Sequence, residues 1–332
     1  MPPLKDDAAD RKQPIISTSD YGARKNHPTA YDDNPSFKGP LRLEQRESPD
    51  FHRRRIRGYY LDDENLRNSL HATELPTLGP STPTGTILKS IVDHLARRDA
   101  PVDAKEVAES IEFYLRCGKR LIGAARRVLQ NKKKGEDGSS KNTITIQDIC
   151  SGHGLTGLLF IACNPPGRLS ETCMRALLVD QFEPKSHAIL RDYISEICPW
   201  VAESVSFESS PLESYASRVA DEQRTVGNGD SASMDIQQAT IIISTHACGS
   251  LTDKVLEYAM SAEAASVAVM PCCYTGTDNG VPYGVRRMLG VGLSADVQRS
   301  FYLQDHDYLV DFAAIPRAIT PMNRIVVAER RK

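Results

Sequence analysis

The side chains able to do chemistry in this 332-residue chain fall into a few short stretches. Asp148, Cys150, Ser151 and His153 surround Gly152 and Gly154, and Asp180 ends the apolar run Ala176-Leu177-Leu178-Val179. His246 and Cys248 follow the β-branched run 239–244, and Cys272, Cys273 and Tyr274 follow the run 266–270. An acid before a Gly-x-Gly turn, with a second acid ending the next apolar run, is suited to a nucleoside cofactor. The glycines let the backbone approach the ligand, the following helix N-terminus offers unpaired N–H groups, and Asp180 can accept hydrogen bonds from ribose hydroxyls. Thiols and imidazoles gathered nearby offer nucleophiles, general bases or metal ligands.

The elements that must position these groups alternate. Strands are expected at about 143–149, 176–180, 205–208, 239–244 and 266–270, with helices at about 155–163, 184–198, from 212, from 251 and at 283–293. Two last strands, 308–314 and 324–329, read as an antiparallel pair at the sheet edge. Alternation of this kind predicts an α/β, Rossmann-like, mainly parallel seven-stranded sheet covered on both faces, with an antiparallel final strand. Ligands then bind outside the carboxyl ends of the strands, where the reactive residues cluster. Before the sheet, Ile87, Ile91, Val92 and Leu95 predict one helix, and Asp103 is a good N-cap for a longer one reaching about Gln130. That helix carries Arg116, Lys119, Arg120, Arg126 and Arg127 on its polar side, which is either a solvated face or a wall of a substrate groove. Three regions follow: a polar, basic arm over 1–80 expected to be disordered, a helical segment over 84–134, and a cofactor-binding domain over 141–332. The stretch 225–235, rich in Gly, Ser and Asp, is expected to be a disordered loop.

A formal net charge of −2 gives no general affinity for nucleic acid, and no apolar run is long enough to span a membrane. The start of the chain lacks an apolar signal core, and the eight cysteines are expected to be reduced thiols, as in a cytoplasmic or nuclear protein.

The acid just before the turn argues against a dinucleotide, because a carboxylate there would repel a pyrophosphate. Asp148-Ile149-Cys150-Ser151-Gly152-x-Gly154, His246-Ala247-Cys248-Gly249-x-x-Thr252-Asp253, Pro271-Cys272-Cys273 and the late Ile315-Pro316-x-x-Ile319-Thr320-Pro321-x-Asn323-Arg324 occur in this order. Together they resemble the "methyltransferase domain 32" family of class I S-adenosylmethionine (SAM) methyltransferase-like proteins, over about residues 85–330. The resemblance implies SAM as cofactor. Asp148, Gly152 and Gly154 would line its methionine end together with Cys150 and Ser151. Asp180 would hold the ribose, Ser210 and Leu212 would flank the adenine, and His246 would lie near the methyl group.

Three readings of the Cys/His cluster stand side by side. Its members are small packing residues under the cofactor. Alternatively, Cys248 and Cys272 act as nucleophiles, as in cytosine-C5 RNA methyltransferases, which present cysteines after the fourth and fifth strands. In the third reading Cys150, His246, Cys248, Cys272 and Cys273 bind a metal, although no C-x-x-C knuckle is present. His246 and Tyr274 are the candidate general bases. The acceptor favoured by the basic helix face and the basic arm is RNA, with protein or a small molecule as alternatives. A catalytically silent SAM-binding or partner-binding module and an NAD(P)-dependent oxidoreductase are the rival readings; oligomeric state is not legible.

Overall fold

The computed structural model describes residues 82–133, 141–167, 172–226, 236–271, 273–274, 281–316, 319–320 and 322–331. The arm over 1–80, the loop 227–235 and Cys272 lie outside the described residues. The chain opens with α1 (Pro83–Arg97) and α2 (Ala104–Lys133). There follow β1 (Lys141–Ile149), α3 (Leu155–Ala162), β2 (Thr172–Asp180), α4 (Lys185–Ile197), the single turn α5 (Val201–Ser204), β3 (Val205–Ser209) and α6 (Leu212–Val226). Then come β4 (Ile236–Ser244), α7 (Leu251–Ser261), β5 (Ser266–Val269), α8 (Tyr283–Asp305), β6 (Tyr308–Ala314) and β7 (Arg324–Arg330).

The strand order is β3-β2-β1-β4-β5-β7-β6. The pairs among β1 to β5 are parallel, and β7 runs antiparallel to both β5 and β6. The chain thus has the class I methyltransferase architecture, in which the last strand inserts beside β5 rather than simply closing the edge. A doubly wound dehydrogenase sheet ends instead on parallel strands. β1 and β4 form the centre, and their Ile144, Ile146, Ile241 and Ile243 are wholly buried on one face, while Ile149 and Ile242 are buried on the other. Continuous β-branched runs of this kind suit strands covered on both sides.

One helix differs from expectation. α8 runs on to Asp305 rather than stopping near 293, because the break falls inside it: Gly290 takes φ 75° and ψ 161°, and the helix resumes beyond the kink. α1 and α2 pack onto the sheet. Leu88, Ile91, Leu95, Ile111, Phe113, Leu121 and Leu129 share one core cluster with the β1–β4 face. Ser266 Oγ also donates to the Leu121 carbonyl, which ties α2 to the sheet. Thr82 caps α1 through Gly85 N–H, and Asp103 Oδ1 accepts from Lys105 N–H at the start of α2.

The link between β1 and α3 is the tightest passage in the fold. Gly154 takes φ +75°, and a Cβ there would sit 2.3 Å from Leu178 Cδ1 and 3.3 Å from His187 Nδ1. A Cβ on Gly157 would meet Leu178 Cδ2 at 2.3 Å and Asp148 Oδ2 at 3.2 Å. Gly154→Ala should therefore destabilise the fold by about 2–3 kcal/mol, from positive φ and overpacking together. Gly157→Ala should cost about 1–3 kcal/mol from overpacking alone. Urea denaturation of both variants checks the order; equal stability to the parent would contradict the close packing of the turn on β2.

Candidate active site

The turn after β1 puts three left-handed residues within five positions: Cys150 at φ 57°, Gly152 at 56° and Gly154 at 75°. A non-glycine residue in that region is uncommon and is held only where its surroundings over-determine it. Here Ser151 N–H donates to the Val179 carbonyl at 3.1 Å, Gly152 N–H to Asp180 Oδ2 at 2.9 Å, and Gly157 N–H to Asp148 Oδ2 at 2.9 Å. The two acids identified in the sequence thus bracket the turn from both sides. Asp148 is wholly buried under it, whereas Asp180 is partly exposed at its rim. Ser210 N–H donates to the Asp180 carbonyl at 2.8 Å, and buried Leu212 opens α6, so both stand next to the same edge.

Asp148 Oδ1 and Ser151 Oγ are buried and make no hydrogen bond. Orphaned polar atoms at a glycine turn are what a polar ligand would satisfy. Burial, with a smaller contribution from the Asp180 charge and against the Gly157 N–H bond, pushes the Asp148 carboxyl up to about 8. Burial and the same two carboxylates push the Cys150 thiol up to about 12, so it remains a thiol and no nucleophile. Phe182, absent from the sequence reading, is 72% exposed two residues beyond Asp180. An aromatic residue just past the acid that ends β2 was the available signal.

Past β4 the loop His246-Ala247-Cys248-Gly249 is held by Thr252, whose hydroxyl donates to the Ala247 carbonyl at 2.6 Å. His246 faces the glycine turn: its ring lies 6.1 Å from that of His153 and its Cδ2 3.9 Å from a Cβ built on Gly152. Burial first, and then the His153 imidazole, lower its pKa to about 4, so it is neutral at physiological pH. Cys248 is exposed and disulfide-bonded, in contrast to the reduced thiol expected from the cysteine usage. A disulfide sulfur carries no thiolate and cannot attack a base in this state. The Cys272 assignment falls outside the described residues. Cys117, Cys150, Cys163, Cys173, Cys198 and Cys273 are free, and among the described residues no group of three or more His, Cys, Asp and Glu side chains is arranged for a metal ion.

Tyr274 is not a general base. Its hydroxyl donates to Asp296 Oδ2 at 2.6 Å, and burial and that carboxylate hold it far above the ordinary phenol range. It is instead part of a network the sequence did not reveal. Asp296 is wholly buried; Arg324 Nε reaches its Oδ2 at 2.7 Å and Arg299 Nη1 its Oδ1 at 3.2 Å. Arg299 also donates to Asp253 at 2.7 Å and to the Gly249 carbonyl at 3.1 Å, and Gly249 N–H donates to the Cys273 carbonyl at 3.2 Å. One carboxylate therefore ties the loops after β4 and β5 to α8 and β7. Burial raises Asp296 to about 6, with the Tyr274 hydrogen bond and Arg299 opposing, so it remains ionised at neutral pH.

The expected basic wall is largely spent within the fold. Arg116 pairs with Glu112, Arg120 with Asp311 and Glu329, and Arg127 with Glu329. Lys119 and Arg126 are exposed. α2 instead turns acids toward the site: Glu106 Oε2 lies 3.0 Å from His153 Nε2, and buried Glu109 pairs with Lys105 at 2.6 Å.

Asp296→Ala should destabilise the protein by about 3–5 kcal/mol, since it leaves buried Arg299 and half-buried Arg324 without their shared partner. Chemical denaturation measures this; a loss below about 1 kcal/mol would show the network to be peripheral. A pH dependence follows from Asp148. Folded, it holds its proton up to about 8, whereas its ordinary value is 3.8. Between those values the folded state binds more protons than the unfolded one, so stability falls as pH rises. Asp148→Asn, which keeps an acceptor for Gly157 N–H, should flatten that fall, and the gap in denaturation midpoint should move in favour of Asn from the acid to the alkaline end.

Comparison with known proteins enters at this geometry. A family model described as "Methyltransferase domain" (Methyltransf_32) matches residues 191–279, which include β3 to β5 and the His246 and Cys273 loops but not the glycine turn. No curated protein matches the chain. A Corynebacterium glutamicum protein of known structure shares 12% identity over 81% of this chain and 97% of its own, with a TM-score of 0.38. A candidate class I S-adenosylmethionine-dependent methyltransferase from Listeria monocytogenes shares 13% over 82% and 74%, with a TM-score of 0.36. The Methanococcus jannaschii fibrillarin pre-rRNA processing protein shares 10% over 57% and 67%, with a TM-score of 0.31. At such scores these likenesses carry no argument about activity. Residues 191–279 thus match a methyltransferase domain model, and they lie in a sheet with the strand order of class I methyltransferases.

Proposed function

We propose that the protein transfers a methyl group from S-adenosylmethionine to a nitrogen or oxygen atom that gives up a proton as it is methylated. The observation that carries this reading is the pair of orphaned buried polar atoms, Asp148 Oδ1 and Ser151 Oγ, at a glycine turn flanked by Asp180. Asp180, already fixed by Gly152 N–H, has its remaining acceptor capacity for ribose hydroxyls. Phe182 offers a face on which an adenine can stack, and Ser210 and Leu212 close that end. Asp148 and the Gly152–Gly154 backbone then border the methionine end, with Cys150 as a small neutral side chain beside it.

When bound, S-adenosylmethionine supplies an electrophilic methyl whose bonding electrons depart with the sulfur. His246, neutral and aimed at the turn, accepts the acceptor's proton at a ring nitrogen and releases it to solvent. Aligning acceptor, methyl carbon and sulfur is the rest of the catalytic task, and the loops tied by Asp296 perform it. RNA remains the first acceptor to test, because Lys119 and Arg126 still present positive charge on α2, with protein the second.

Thermal unfolding with SAM, S-adenosylhomocysteine, NAD and NADP tests the cofactor. The first two should raise the transition temperature and the nicotinamide cofactors should not. Asp180→Ala should weaken SAM binding about tenfold or more, and Phe182→Ala about threefold to tenfold, equivalent to about 1 kcal/mol of stacking. SAM binding without transfer of labelled methyl to cellular RNA or protein would favour the silent module. No response to any of the four would overturn the reading.

A further inference from the structure

His153 lies in the glycine turn, yet both of its ring nitrogens are engaged away from the cofactor edge. Nδ1 faces Leu155 N–H at 3.2 Å and must therefore be the unprotonated acceptor. The proton is then on Nε2, which donates to Glu106 Oε2 at 3.0 Å. Glu106 stands in the first turn of α2, a helix outside the segment that matches the methyltransferase family. Behind it, Ser110 on the same helix accepts from the Thr156 hydroxyl at 3.1 Å, and Thr156 meets Thr245 Oγ1 at 3.3 Å, so α2 is locked against both α3 and the end of β4. The far edge of His153 meets His246 edge-to-face.

We propose that Glu106 is a positioning residue of the acceptor side: it fixes the tautomer and tilt of His153, and the pair holds a negative charge opposite His246. The other charged groups around His246 are Lys105 from α2 and Asp180 from β2, with His153 itself in the turn. Lys105 is neutralised by Glu109, which leaves Glu106 and Asp180 to favour a proton on His246. Burial by itself would raise the Glu106 carboxyl, but the His153 bond and the two imidazoles lower it to about 2. Its charge is therefore constant across the working pH range. The use of the pair rests on the reading of His246 as the proton acceptor; the geometry does not.

The test is nuclear magnetic resonance titration of the imidazoles in unliganded protein, with His153→Asn and His246→Asn supplying the assignments, beside calorimetric SAM binding. In the parent, His153 should show a single Nε2-protonated tautomer. In Glu106→Gln that signature should average toward a tautomer mixture, and the His246 midpoint should move to lower pH by a few tenths of a unit or more. Glu106→Asp should restore part of both. SAM affinity should stay within about threefold in Glu106→Gln and Glu106→Asp. Unchanged tautomer and midpoint in Glu106→Gln would overturn the proposal. Should that variant not fold, an Nδ1-protonated or mixed His153 in the parent would do the same. A parent that binds no SAM would sink the methyltransferase reading, while the imidazole titration would still decide this one.

Discussion

The passage from β1 into α3 is the constraint on which the rest of the structure depends. Three left-handed residues in five positions cannot persist without support, and the support comes from two carboxylates. Asp148 holds the first turn of α3 from beneath through Gly157, and Asp180 holds the loop from the side through Gly152. β2 must then lie directly against the turn, because Leu178 occupies the space that a side chain at position 154 or 157 would need. Parallel pairing of β1 with β2 over eight residues sets that register. The shape of this sheet edge is thus a consequence of how one strand becomes a helix.

A second organising feature stands across the site. Asp296, carried by α8 and sealed from solvent, gathers Tyr274, Arg299 and Arg324. Arg299 carries the order onward to Asp253 and Gly249. The loops past β4 and β5 are thereby set at a fixed distance from the glycine turn, although neither is held by regular secondary structure. Buried charge of this kind is costly unless every member is satisfied, and here the two arginines, the phenol and the carboxylate satisfy one another. The kink at Gly290 lets α8 follow this surface and still reach β6. The third side of the site is α2, whose Glu106 and Ser110 face inward while Arg116, Arg120 and Arg127 are held by Glu112, Asp311 and Glu329.

By itself the sequence determined the order of the elements and the glycine turn with its two acids. Alternating apolar runs fix strands and helices through local periodicity. A Gly-x-Gly turn led by an acid, with a second acid ending the next strand, is a local pattern with a backbone reason behind every residue. Asp148 and Asp180 were therefore legible from composition and spacing, and the antiparallel last pair was legible from its position. Only the tertiary structure decided the roles of the side chains past β4 and β5. Tyr274 read as a candidate base until Asp296, 22 residues on in α8, took the hydrogen bond from its hydroxyl. The arginines of α2 read as either a solvated face or a groove wall until Glu329 and Asp311 of the last strands met Arg120 and Arg127. Glu106 gave no local signal, since its meaning depends on a histidine placed opposite it by the glycine turn. The reason is general: a turn or a strand is fixed by neighbours along the chain, whereas protonation state, ion pairing and access depend on partners that folding brings from far away.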